Sequence, residues 1–267
     1  MKNIWHLLSL LLLFSLSSCE DESPLSISSI SLDEYTPEQN LIIGNSIDEE
    51  AAKNYPTLKT EDNPEVMEYL NTMLQILINT ATIEQRELYN WQISVIPDTT
   101  QSTLFSLPNG HIYIYTGLLN FLSSESQLLS LLAHEIYFID QGIMVELIED
   151  EFSAQELGDI LLDNGKANVE RMAQSLSTLK ANPQDVLAAD AYAVEVLCPF
   201  VYEPRGIVKI IDRARLDWTV APKWFDLRPV DDIVGRIDNM NRIAEPCGLD
   251  GVKNVAEYQD FLEMLPL

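Results

Sequence analysis

Apolar residues recur at helical spacing through most of the chain. After Asn63-Pro64, the residues Val66, Leu70, Met73, Leu74 and Leu77 fall in steps of three and four, one face of a helix. Asn63 is the expected cap there, with Pro64 at the first helical position. Thr36-Pro37-Glu38-Gln39 is the same device, with Gln39 reaching back to the cap. Ser124-Glu125-Ser126-Gln127 is a capping box, and the helix it opens carries Leu128, Leu129, Leu131, Leu132, Ile136 and Phe138. That helix is apolar most of the way round, which predicts a central, buried position. Asn182-Pro183 opens another helix, ending before Pro199, whose face Val186, Ala189, Asp190, Ala193, Leu197 is apolar except for one carboxylate. Residues 91–96 (WQISVI), 104–107 and 111–115 (HIYIY) are β-rich, the last two flanking the turn Pro108-Asn109-Gly110. Residues 203–267 hold further helices. The pattern predicts an α+β fold, mostly helical, with a small antiparallel-type sheet beside the central helix.

The first residues follow another rule. Lys2 precedes an apolar stretch, residues 7–16, too short for a stable transmembrane anchor. Residues 1–18 therefore read as a signal peptide. Leu16-Ser17-Ser18-Cys19 resembles a bacterial lipobox, which makes Cys19 the expected lipidation site. Residues 19–34 read as a flexible tether. Its acidic run, Glu20-Asp21-Glu22, resembles the surface-export signal of Bacteroidetes lipoproteins. Residues 35–267 form the expected single domain, lipid-anchored at the periplasmic face or the cell surface.

Composition narrows the partners. With 42 Asp and Glu against 16 Lys and Arg, the net charge is −26. Nucleic-acid binding needs clustered cations, so that class is excluded, as is docking on anionic lipid through a basic surface. Cys198 and Cys247 are free to pair in an oxidising compartment, and spacing alone leaves their pairing open.

The chemistry lies in the central helix, where His134-Glu135 sits among leucines. Two histidines at i and i+4 on one helix face can hold Zn²⁺, with the Glu beside the first taking a proton from metal-bound water. This chain reads His134-Glu135-Ile136-Tyr137-Phe138, and Phe138 has no lone pair to give. With Leu107-Pro108-Asn109-Gly110, Thr116-Gly117-Leu118-Leu119 and Leu132-Ala133-His134-Glu135-Ile136 in order, the chain resembles the zinc metallopeptidases of family M48, the group of HtpX and the CAAX prenyl protease. Residues 37–55 are similar to the family's N-terminal helix. Arg228-Pro229 with Arg236-Ile237 echoes its His-Pro…Arg-Ile segment, with Arg228 in place of the His. The resemblance covers roughly residues 35–245 and implies a zincin-like fold.

It also implies roles, one position at a time. His134 matches the first zinc ligand and Glu135 the general base. Phe138 stands at the second ligand position and Val186 at the third, the Glu of the family's ExxxD. Asp190 matches the carboxylate that accepts the first His's other N–H. A catalytic zinc needs three protein ligands, so no cofactor is expected here, zinc being that of the parent family. The expected function is a pseudopeptidase that binds a polypeptide or envelope partner in the old cleft. A substrate strand would pair at an edge formed by Leu107, Asn109, Gly110, His111 and Tyr113, with His111 exposed; strand addition uses backbone groups and needs no metal. Two alternatives are an active metalloendopeptidase with a site rebuilt from His134, His111 and Asp185, and a purely structural envelope lipoprotein. An open groove beside residues 111–115 favours binding. A groove filled by side chains, or by the acidic stretch 146–156, favours the structural reading.

Overall fold

A computed structural model describes residues 35–162, 164–216, 223–248 and 251–266. The expected signal peptide, the expected lipidation site Cys19 and the expected tether lie outside these residues.

Helix α1 (Pro37–Asn54) begins with the expected capping box: Gln39 N–H donates to Thr36 Oγ1 and Thr36 N–H to Gln39 Oε1. Helix α2 (Pro64–Thr80) has Pro64 in its first turn, but Asn63 does not cap it. Asn63 Nδ2 donates backwards to the Lys59 carbonyl instead, at 3.3 Å. Strands β1 (Gln92–Ile96), β2 (Leu104–Ser106) and β3 (His111–Tyr115) follow. Gly110 has φ +96°, a left-handed conformation that a side chain would strain, and it closes the turn between β2 and β3. The β2–β3 pair is antiparallel as expected, whereas β1 joins the other side of β3 in parallel, so the sheet is mixed, in the order β1-β3-β2.

Helix α3 (Thr116–Phe121) leads into α4 (Glu125–Asp140), the central helix. Fourteen of its residues are buried, including both polar residues of the His134-Glu135 pair. Its Ser124 cap accepts from Gln127 N–H, while the Gln127 side chain reaches one residue further back, to Ser123 N–H. Helix α5 (Ile143–Phe152) packs on α4, α6 (Ala154–Leu161) and α7 (Lys166–Ser175) pack on α1, and a 3₁₀ turn (Leu176–Thr178) flanks β2. Helix α8 (Pro183–Leu197) lies along α4, with α9 (Gly206–Leu216) on its other flank. Helices α10 (Lys223–Leu227), α11 (Ile233–Ala244) and α12 (Val255–Met264) complete the described chain. Cys198, at the end of α8, is bonded to Cys247, just after α11. Among the described residues no single helix is long and apolar enough to cross a membrane.

Because cross-strand partners share a face, the register sorts the side chains. Ser106 pairs with Ile112, and this face meets α4. His111 and Tyr113 point to the opposite face, under α1.

Candidate functional site

The apolar periodicity of α4 and α8 brings His134, Glu135, Phe138, Val186 and Asp190 into one interior, all with zero exposure. Trp224 of α10 covers them, and Arg228 follows at its end; they are 0% and 3% exposed. Trp224 is anchored to the loop before β2 by its backbone N–H, which donates to the Ser102 carbonyl at 3.2 Å.

Both oxygens of Glu135 are engaged. Oε2 accepts from Ser106 Oγ at 2.8 Å, and Oε1 from Trp224 Nε1 at 3.1 Å. Arg228 Nη2 reaches both, at 3.2 and 3.3 Å. Burial alone would push the Glu135 carboxyl up, because the interior disfavours charge. The Arg228 guanidinium, the neighbouring His134 and the Trp224 N–H outweigh it and hold the group at about 2. Glu135 is therefore a fixed carboxylate.

Asp190 is paired in the same way. It does not serve His134 as the resemblance implies. Arg236, from α11, forks onto it, with Nε 2.6 Å from Oδ2 and Nη2 2.9 Å from Oδ1. A guanidinium matches a carboxylate with two parallel bonds, which an imidazole cannot do. His134 Nε2 is left 3.6 Å from Asp190, and Nδ1 3.4 Å from Glu135. Neither nitrogen has a hydrogen-bond partner of good geometry among the described residues. Burial pushes the His134 pKa down against these carboxylates, keeping the imidazole neutral. Its ring stacks on Phe138, with centroids 5.1 Å apart, and meets the edge of Trp224 at 5.3 Å.

The zinc site of the resemblance can be tested on these donors. His134 offers a nitrogen without a partner, but Phe138 and Val186 offer only carbon, and Arg228 already sets a positive charge beside Glu135. Among the described residues, no three His, Cys, Asp or Glu side chains group so as to hold a metal. The donor set does not fit zinc. Nor does the fold assemble the alternative set. His111 is not exposed, as the sequence suggested, but buried on the far face of the sheet. Its Nδ1 lies 2.8 Å from Asp48 Oδ1 and its Nε2 2.9 Å from Ser94 Oγ. Asp185 lies on α8, near Tyr137.

The expected substrate edge is also corrected. His111 and Tyr113 belong to β3, which is paired on both sides, so they present no free edge. Asn109 is turned toward α1, where Nδ2 donates to Asp48 at 3.0 Å; Leu107 and Gly110 close the hairpin turn. β2 is an edge strand of the sheet, and the 3₁₀ turn at Leu176–Thr178 packs against it. The groove over His134 is filled by the side chains of Trp224 and Arg228 and not by the acidic stretch 146–156; a filled groove at that place is the outcome expected of the purely structural reading. Sequence reasoning missed Ser106, Trp224 and Arg236 as site residues and did not see what Arg228 binds. One signal pointed to the two arginines: a Glu and an Asp on apolar helix faces each demand a cation, and this chain has few; nothing in the sequence singled out Ser106 or Trp224.

The comparisons agree with this frame. The model of peptidase family M48 matches residues 64–243. The β-barrel assembly-enhancing proteases of Escherichia coli K12 and Shigella flexneri are each 23% identical over 172 residues, 58% of this chain and 34% of theirs. The chain thus matches about a third of the length of these relatives. With the family model spanning well over half of the chain, the chain belongs to peptidase family M48.

Proposed function

We propose that this M48 member does not cleave peptides and acts as a non-catalytic, lipid-anchored envelope protein that holds a polypeptide partner. The observation that carries the reading is the state of Glu135. A general base must accept a proton near the working pH. This carboxylate is sealed from solvent and held at about 2 by Arg228 and its other neighbours. Phe138 and Val186, at the second and third ligand positions, agree with the loss.

The partner cannot lie over His134, which Trp224 and Arg228 cover. A groove of about 480 Å³ remains open beside them, lined among others by Asp98, Gln101, Thr103, Tyr115, Lys180 and Lys223. This groove is what favours a binding role over a purely structural one. The disulfide and the lipobox-like Cys19 support an exported, oxidising location, and the name of the E. coli relative, an assembly-enhancing protease, supports an envelope partner.

The test is turnover. Purified protein with added zinc is expected to leave unfolded polypeptide substrates intact, as is Glu135→Gln. Cleavage by the parent that disappears in Glu135→Gln would sink the reading. A photoreactive residue at Gln101 separates the remaining alternatives: a crosslinked envelope polypeptide is expected, and its absence favours the structural role.

A further inference from the structure

We propose that the Arg228 guanidinium is the resident cation of this site, standing where the resemblance implies a metal. The loss of catalysis needs only an occupied Glu135; this inference goes beyond it and says what now fills the site and why ligands alone would not restore it.

Charge comes first. Glu135 and Asp190 are two carboxylates with zero exposure. A buried carboxylate without a cation is strongly destabilising. The described site holds two guanidiniums, Arg228 on Glu135 and Arg236 on Asp190. The carboxylates are thereby balanced, and a divalent ion brought in beside them adds uncompensated positive charge to a buried interior.

Position comes second. The Arg228 guanidinium carbon lies 4.4 Å above the centroid of Phe138. Phe138 is the residue at the lost second-ligand position, and its other neighbour is the ring of His134, 5.1 Å away. Imidazole, phenyl ring and guanidinium thus lie against one another, with the guanidinium also on Glu135. An aromatic face attracts a guanidinium through its quadrupole, most strongly where water is excluded. The two departures from the family motif are matched: Phe138 offers no electron pair to a metal, but it offers a face to Arg228.

The cation is also fixed in place. Arg228 N–H donates to the Trp224 carbonyl at 3.1 Å, and the Arg228 carbonyl accepts from Arg236 Nη1 at 3.0 Å. The arginine on Asp190 therefore holds the backbone of the arginine on Glu135, so α4, α8, α10 and α11 meet at one charge-balanced knot.

The consequence is specific. Phe138→His with Val186→Glu restores the family ligands on paper, yet with Arg228 present this variant is expected to carry no stoichiometric zinc. Adding Arg228→Ala is expected to yield about one zinc per chain after gel filtration, with a higher melting temperature in zinc. One zinc per chain in the double variant would overturn the proposal. The second arm does not need the redesigned site to fold. Arg228→Ala alone is expected to melt lower than the parent, and millimolar methylguanidinium to restore part of the loss by filling the vacated place. An Arg228→Ala protein as stable as the parent and indifferent to methylguanidinium would also overturn it. Both arms read binding and stability, so their outcome is separate from that of the turnover assay.

Discussion

A carboxylate with zero exposure must either give up its charge or find a cation, and Glu135 has found Arg228 93 residues further along the chain. This sets the pH response. The folded Glu135 pKa is about 2 against an ordinary 4.5, so the unfolded chain takes up its proton first. The stability from this ionised group is present above pH 4.5 and is lost as pH falls from there toward 2. His134 shifts downward as well, so its contribution is present above its ordinary 6.5 and begins to fall below it. The melting temperature is expected to decline in two stages on acidification, with the lower stage worth a few kcal/mol, on the order expected for one strongly shifted buried group. A melting temperature that holds steady down to pH 3 would contradict this account. At this scale the sequence was legible in part. Phe138 and Val186 announce lost ligands because the absence of a lone pair is a property of the residue. The partner of Glu135 is not such a property. Nor is the burial of His111, whose neighbours Asp48 and Ser94 come from α1 and β1.

At the scale of elements, periodicity carries far. The boundaries of α8, the buried character of α4 and the β2–β3 hairpin follow from apolar spacing, caps and turn residues. Pairing between distant elements does not, because a strand's sequence names no partner. The parallel join of β1 to β3 left β3 without a free edge. Two contacts between elements can be tested. Cys198–Cys247 closes a separation of 49 residues between the ends of α8 and α11, the helices that carry Asp190 and Arg236. Its removal by Cys198→Ala with Cys247→Ala is expected to cost about 2–4 kcal/mol in chemical denaturation. No loss would show that these helices are held by packing alone. Gly206 opens α9 directly against α4, where an added Cβ would overlap the Ser126 carbonyl oxygen. Gly206→Ala must push the helices apart, and a melting temperature several degrees lower is expected. An unchanged value would mean that α9 shifts freely on α4.

At the scale of the whole molecule, a net charge of −26 opposes docking on anionic surfaces, so the membrane attachment proposed above rests on the lipid anchor proposed at Cys19. Cys19→Ala is expected to lose metabolic lipid labelling and to move the protein from the membrane to the soluble envelope fraction. Continued labelling would refute the anchor. The sequence by itself determined the family, the order of the elements and the identity of each residue at the old ligand positions, since these depend on local spacing and on chemistry each side chain carries alone. Tertiary structure alone decided that Trp224 and Arg228 close the cleft, that Arg236 rather than His134 takes Asp190, and that two guanidiniums balance two carboxylates. Those outcomes rest on which charges meet in a buried interior, and distance in three dimensions is what a linear order of residues does not record.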